Sequence, residues 1–126
     1  MRTDTLEGAW LDAWVALARG HADIEVEEEA PGGGALVCRS RAPGAAGVQP
    51  YRPSTDWHEA QPILEEEHIL LRDRVPWTSP PRFEAMLQRQ GVTWFAEGEL
   101  PLVAAMRVYV RSRFEEDRLL APPFDR

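Results

Sequence analysis

A chain of 126 residues suits one domain, residues 1–126, and its composition of 44% hydrophobic and 28% charged residues is typical of a globular protein. The 21 acidic residues outnumber the 14 basic ones, and a formal charge of −7 argues against binding to nucleic acid, which normally requires a basic surface. A single cysteine excludes an internal disulfide. The sequence shows neither a signal peptide nor an apolar stretch long enough to span a membrane. A soluble cytoplasmic protein is therefore expected.

The N-terminal segment has a strong helical pattern. Apolar residues recur at spacings of three and four, which predicts a helix over residues 5–20. Thr5 or Asp4 is expected to cap its start, and Gly20 to end it. Trp14 lies in the middle of the apolar face and is therefore predicted to be buried.

The following segments are predicted to contain little regular structure. Residues 21–34, which include an acidic run, are expected to form an exposed connection. Residues 36–41 are predicted to form a strand in which Cys38 is buried. Loops are further predicted at 43–53 and around Trp77 at 76–81, and an extended tail at 121–124.

A helix start is predicted in the middle of the chain. Ser54 or Thr55 is expected to provide its cap, with Asp56 in the first turn. Pro62 is expected to break this helix and to open a second helical run. A buried strand is predicted at 69–71.

The C-terminal third is predicted to hold a hairpin and a helix. Alternating apolar residues favour a hairpin over 82–97, although residues 83–90 could also form a short helix. A helix is predicted over 101–116, and Met106 on its apolar face is expected to share one core with Trp14. The predicted fold is therefore α+β, an α/β sandwich in which a small antiparallel sheet packs against the two main helices.

Two stretches resemble a known family. The first is Tyr-Arg-Pro-Ser-Thr-Asp-Trp at 51–57, and the second is Pro-Leu, Ala-Ala-Met-Arg, Tyr-Val and Ser-Arg-Phe within 101–114. In this order and spacing they resemble the phage NinX-like proteins, a family of unknown function that is similar to phage proteins described as α-β-α sandwiches. The resemblance implies a phage or prophage origin, and hence the host cytoplasm, but no known reaction. The family usually has Thr before the Pro-Leu pair, whereas this chain has Leu100, and Glu99 is the candidate replacement cap.

The 51–57 segment is the first candidate site. Its side chains would explain a helix cap alone, but they would also suit an anionic, ring-bearing ligand, which needs helix N–H groups, a guanidinium and a stacking surface. The candidate ligand-binding residues of this segment are Tyr51, Arg52, Ser54, Thr55, Asp56 and Trp57.

The last helix carries the second candidate feature. Arg107 and Arg111 lie one turn apart, where like charges repel unless an acid such as Glu115 relieves them or an anion binds between them. The ligand-binding interpretation predicts that Arg52, Trp57 and Arg107 converge on one concave surface.

The function expected from these features is non-catalytic. The sequence contains no catalytic motif, cofactor-binding motif or metal-ligand spacing among its histidines, so neither enzyme activity nor a cofactor is expected. We expect a phage protein that captures a small anionic, nucleotide-like ligand to counter host defence. The alternative is an accessory protein that binds and modulates a host or phage enzyme. Five tryptophans in so short a chain also predict a homodimer.

Overall fold

The computed structural model describes residues 5–73 and 82–114, and the predictions for residues 76–81 and 121–124 lie outside these ranges. The described residues form helices α1 (Gly8–Ala18), α2 (Trp57–Glu67) and α3 (Pro101–Arg113), and strands β1 (Ala22–Glu28), β2 (Leu36–Arg41), β3 (Gln49–Pro50), β4 (Leu70–Asp73), β5 (Phe83–Arg89) and β6 (Val92–Gly98).

The strands form two antiparallel sheets instead of the single sheet expected from the sequence. Sheet A has the order β1-β2-β3, and sheet B has the order β4-β5-β6. The α+β class is confirmed, and the number of sheets is corrected. Helix α1 packs against β1 and β2 on one side and against α3 on the other, while α3 packs on sheet B. Helices α1 and α3 therefore lie between the two sheets.

Helix α1 is central because it is apolar on both sides. Ala9 and Ala13 pack with Cys38 in a small core beneath sheet A, where their short side chains allow close approach. The opposite face contributes Trp14 to the main core, which also contains Met106, so the prediction that these two residues share one core is confirmed.

The predicted cap of α1 is wrong. The helix begins at Gly8, and Glu7 occupies the N-cap position without a side-chain hydrogen bond to the helix. Thr5 lies two residues before that cap position, outside the helix. Burial of both faces stabilises this helix more than a capping bond of about 1 kcal/mol would.

Strand β1 corrects the prediction of an exposed connection at 21–34. Ile24 and Val26 pack towards the small core, whereas Glu25 and Glu27 between and beyond them are exposed. The alternation is that of a strand with one buried face. The acidic run concealed this pattern, because it occupies only the solvent side.

Helix α2 also departs from prediction at two points. Its N-cap is Asp56, whose Oδ1 accepts a hydrogen bond of 2.9 Å from the His58 N–H, so neither Ser54 nor Thr55 provides the cap. Pro62 lies inside one continuous helix and does not break it. The helix tolerates this proline because the carbonyl that loses its partner belongs to exposed His58, where water can replace the missing N–H.

The last elements largely follow the predictions. The hairpin of β5 and β6 is confirmed, and its turn places Gln90 and Gly91 at φ values of 53° and 81°, as a tight turn between twisted strands requires. The strand predicted at 69–71 is present as β4, but it is an edge strand in which Leu70 is exposed. Helix α3 begins after Leu100 without a side-chain cap, so Glu99 does not replace the missing hydroxyl.

Candidate functional site

A cavity of about 450 Å³ opens where the C-terminal end of α1 meets sheet A and α2. This volume is within the range of about 300–1,000 Å³ in which proteins bind small molecules. The apolar part of its lining includes Ile63 of α2 and the loop between β2 and β3. Its polar side chains are Arg19, His21, Ser40, Gln49, Tyr51 and Glu59.

The end of α1 brings two of these residues to the cavity. Gly20, at φ 83°, donates its N–H to the Leu17 carbonyl at 3.1 Å, and the N–H of His21 bonds the Ala16 carbonyl at 3.0 Å. These two hydrogen bonds around a glycine in the left-handed backbone conformation form the Schellman motif, which confirms that Gly20 ends the helix. The reversed chain direction places Arg19 and His21 side by side at the cavity.

Sheet A supplies the hydroxyl that meets His21. In the β2–β3 register Ser40 pairs with Gln49, so both residues lie at the end of the sheet nearest α1. The His21 Nδ1 lies 2.7 Å from the Ser40 Oγ, and the His21 ring lies 4.5 Å from the Tyr51 ring between centroids. Burial, together with the positive charge of Arg19, lowers the pKa of His21, so its imidazole is neutral at pH 7.

Arg19 provides the cation of the cavity. Its guanidinium donates two hydrogen bonds of 2.9 and 3.1 Å to the Glu66 carboxylate. The arginine side chain is 21% exposed and the glutamate side chain is 60% exposed. The hydrogen bond from Arg19 lowers the pKa of Glu66, which stays ionised. Because Glu66 is held only at the surface, another anion in the cavity could replace it as the partner of Arg19.

The 51–57 segment reaches the cavity through Tyr51. The N–H of Tyr51 donates to the Cys38 carbonyl at 2.9 Å, and burial raises the pKa of its phenol. The side chain of Arg52 instead contacts Glu29 at 2.7 Å, while its backbone N–H donates to the Glu59 carboxylate at 2.5 Å. Arg52 therefore joins the residue after β1 to α2 and does not line the cavity.

The rest of the segment divides between the interior and the solvent. Ser54 is buried, and its N–H donates to the carboxylate of buried Asp12 at 2.8 Å. Burial raises the pKa of Asp12 to about 7. Thr55 is exposed, Asp56 caps α2, and Trp57 is 53% exposed. These residues frame the start of α2, outside the lining of the cavity.

Arg107 and Arg111 do not join the 51–57 segment. Arg107 is buried and donates to the carbonyls of Leu6 and Glu97 at 2.7 and 2.8 Å, while Arg111 donates to the Phe95 carbonyl at 2.7 Å. These bonds disperse part of the charge of both arginines, and Glu115, the acid proposed from the sequence to relieve them, lies outside the described residues. Arg107 lines a separate cavity of about 410 Å³ near the start of α3.

A model of the family described as Bacteriophage P22, NinX matches residues 2–113. The chain belongs to this NinX family. A comparison with curated proteins finds no significant match. The matched residues of this NinX family member include the whole lining of the larger cavity as well as both stretches that carry the resemblance.

Sequence reasoning missed most of the cavity in this NinX family member. Of its polar residues only Tyr51 was a candidate; Arg19, His21, Ser40 and Gln49 come from segments interpreted as a helix end, a loop and a strand. The available signal was the helix stop at Gly20, which fixes the direction of its neighbours. Cys38 is buried as predicted, and burial raises the pKa of its thiol to about 12, which makes it a poor nucleophile.

Within residues 5–73 and 82–114, no group of three or more histidine, cysteine, aspartate or glutamate side chains is arranged to hold a metal ion. Over the same part of the chain, no helix is both long enough and apolar enough to cross a membrane.

Proposed function

We propose that this NinX family member is a non-catalytic binding protein that captures a small anionic, nucleotide-like ligand in the cavity at the end of α1. The observation that carries the proposal is the meeting of a guanidinium, an imidazole, a hydroxyl and a phenol ring in one concave space of about 450 Å³. Such a space suits a ligand the size of a mononucleotide.

The negative end of the ligand would be bound by Arg19. Its guanidinium already holds the Glu66 carboxylate in a two-bond arrangement, the geometry that also suits a phosphate group. Binding would therefore exchange one anion for another, and the exposed glutamate would turn into solvent. The neutral His21 and Ser40 offer further hydrogen bonds to the same end.

The other end of the ligand would lie towards Tyr51 and Glu59. A phenol ring lining a cavity offers a surface for a base, as aromatic side chains do in other nucleotide sites. The Glu59 carboxylate would repel an anion but accept hydrogen bonds from a base or from sugar hydroxyls. A nucleoside monophosphate fits this division of charge better than an inorganic anion does.

Membership of a phage family supports a role directed at the host cell. A protein that only binds its ligand can act by lowering the free concentration of a host nucleotide signal. We therefore place its action in the host cytoplasm, as an antagonist of host defence that needs no cofactor.

The binding test uses two variants that break the same ion pair from opposite ends. Adenosine monophosphate serves as the probe, and titration calorimetry measures its affinity. Arg19→Gln should weaken binding by at least about tenfold, because the charge that binds phosphate is lost. Glu66→Gln should strengthen binding by about threefold or more, because the competing anion is lost.

Both variants lose the exposed Arg19–Glu66 pair, which should cost little stability, and Arg19→Gln also loses the hydrogen bond between Arg19 and Tyr109. Arg41→Gln, which removes an exposed pair with Asp23 outside the cavity, is the matched control and should leave affinity unchanged. If Arg19→Gln and Glu66→Gln change the affinity for the probe equally, the ion pair has a structural role and Glu66 does not compete with the ligand for Arg19. Where the variants differ as predicted, mass spectrometry of the small molecules that co-purify with the wild-type chain from phage-infected cells would identify the natural ligand.

The second candidate function is an accessory protein that binds a host or phage enzyme. It is favoured by Trp57, a large aromatic residue that is 53% exposed at the start of α2. This function predicts that Trp57→Ala abolishes capture of the partner enzyme from infected-cell extract, while binding of the nucleotide probe is unchanged. Loss of probe binding in Arg19→Gln alone would favour the cavity instead.

A further inference from the structure

The outer face of sheet B carries an apolar row that the described residues leave exposed. Leu70 pairs with Met86, and Met86 pairs with Phe95, so the three side chains cross the sheet in one line. Leu70 is 60% exposed and Phe95 is 46% exposed. A shallow groove of about 400 Å³ runs along them. The opposite face of the sheet, with Ala85 and Leu87, is buried against α3.

The apolar row has a charged row beside it. Arg72 pairs with Glu84 across β4 and β5, and Glu84 pairs with Glu97 across β5 and β6. The Arg72–Glu84 ion pair measures 2.6 Å, and Arg82 holds Glu97 at 3.3 Å. Two arginines thus balance two glutamates. Among the described residues these charges of the face balance, although the whole chain carries a formal charge of −7.

We propose that this outer face of sheet B, centred on Leu70, Met86 and Phe95, is the contact between two copies of the chain. Elsewhere two copies of so acidic a protein would repel each other, but neutral faces can approach without that cost. A two-fold axis parallel to the strands lays β4 of one copy over β6 of the other, and β5 over β5. Each Leu70 then meets Phe95 of the second copy, and the two Met86 side chains meet each other.

The same axis aligns the outer ends of the charged rows in a complementary way, and it brings the two Glu84 side chains together on the axis, where each carboxylate keeps its own Arg72 partner at 2.6 Å. Arg72, at the outer edge on β4, comes opposite Glu97 on β6 of the second copy, and the reverse pair forms by symmetry. The Arg72 side chain is 73% exposed and so is accessible to a carboxylate across the interface. The fit of the apolar row to itself and the two Arg72–Glu97 pairs across the axis are what favour a second copy over an unrelated partner.

The size of the face predicts a weak dimer. β5 and β6 have seven residues each and β4 has four, so the three strands side by side give a surface of at most roughly 14 by 24 Å, or about 300 Å². A stable interface usually buries about 800 Å² on each partner. The dimer should therefore form reversibly at high micromolar concentration. This inference uses a surface away from the cavity and is independent of the proposed ligand.

Analytical ultracentrifugation of the full chain between about 10 and about 500 µM tests the proposal. The apparent mass should rise from 14.2 kDa towards about twice that value. Phe95→Thr should weaken association by at least about tenfold while keeping a residue that favours strands. Leu36→Thr, which changes a residue of similar exposure on sheet A, should not weaken it.

A charge exchange separates an interface from a structural role. Arg72→Glu and Glu97→Arg should each weaken association by about tenfold, because each places like charges opposite one another. The double variant should restore association to within about threefold of the wild type, although both internal ion pairs remain changed. A wild-type chain that stays at 14.2 kDa at about 500 µM, or a double variant no better than the single ones, would overturn the proposal.

Discussion

Replacing Asp12 by asparagine should stabilise the protein at neutral pH. Asp12 is 4% exposed, and its carboxylate accepts the Ser54 N–H at 2.8 Å. Burial raises its pKa from the ordinary 3.8 to about 7, and the negative charge of Glu59 adds to this rise. Asparagine keeps an oxygen that can accept the same hydrogen bond but never carries the buried charge.

The size of the effect follows from the two pKa values of Asp12. They differ by about 3, and each unit corresponds to about 1.4 kcal/mol, so the carboxylate costs about 4 kcal/mol once it is fully ionised. Because the pKa of Asp12 is higher in the folded state than in the unfolded state, Asp12 lowers the stability of the protein as the pH rises. Below about pH 4 the carboxyl is protonated in both states and costs nothing. Its penalty grows as the pH rises through the folded pKa of about 7, and it is constant above that range.

Urea unfolding at pH values from about 4 to about 8 measures this dependence. The free energy of unfolding of Asp12→Asn minus that of the wild type should increase by several kcal/mol over this range, because the titration of all other groups cancels. Asp23→Asn changes an exposed carboxylate and is the control, for which the difference should stay nearly flat. A flat difference for Asp12→Asn as well would refute the account of a buried, ionising carboxyl.

Four further variants test the core and the candidate residues. Trp14→Ala should cost about 3–5 kcal/mol in urea unfolding, and an unchanged melting temperature would contradict its place in the core. Arg107→Ala should cost about 2–4 kcal/mol, because two carbonyl partners lose a buried donor; a normal melting curve would show that these bonds are unimportant. Arg52→Ala should lower the free energy of unfolding by less than about 1 kcal/mol. Because the Arg52 guanidinium lies outside the cavity, the variant should change nucleotide affinity by less than about threefold, and loss of binding would support the site predicted from the sequence instead. Because a bound anion favours the charged form of His21, whose pKa is lowered in the free protein, the affinity of the wild type relative to that of His21→Asn should rise as the pH falls below neutral. Calorimetry measures both affinities, and their ratio cancels the titration of the nucleotide's own phosphate; a constant ratio would contradict a contact with His21.

The fold was predictable where one physical signal dominated. The helical spacing around Trp14 and Met106 located both main helices, and the alternating residues on either side of Gly91 located the hairpin. Sheet A was missed because Glu25 and Glu27 made β1 resemble a solvated loop. The α1 helix had a second apolar face made only of alanines, which is a weak signal for a second sheet.

The candidate site was predictable only in part, because most of its residues are far apart in the sequence. The 51–57 segment gave a local signal, and it does hold a helix start and Tyr51. The other polar residues of the cavity, Arg19, His21 and Ser40, are brought together by a helix stop and a strand register, neither of which a linear pattern encodes. The described partners of Arg107 and Arg111 include backbone carbonyls, which leave no trace in the sequence.

The position of Asp12 connects the stability of the fold with the candidate site. Its carboxylate holds the backbone at Ser54, three residues after Tyr51, and thereby fixes the segment that carries the phenol into the cavity. An amide could make the same bond without a buried charge, so folding alone does not require an acid at this position. Residues that lower stability without a structural need are found most often near functional sites. Measuring nucleotide affinity on the stabilised Asp12→Asn chain therefore separates the two roles. Unchanged affinity would show that Asp12 is a structural contact only. Weaker binding in a more stable protein would show that the charge of Asp12 contributes to ligand binding.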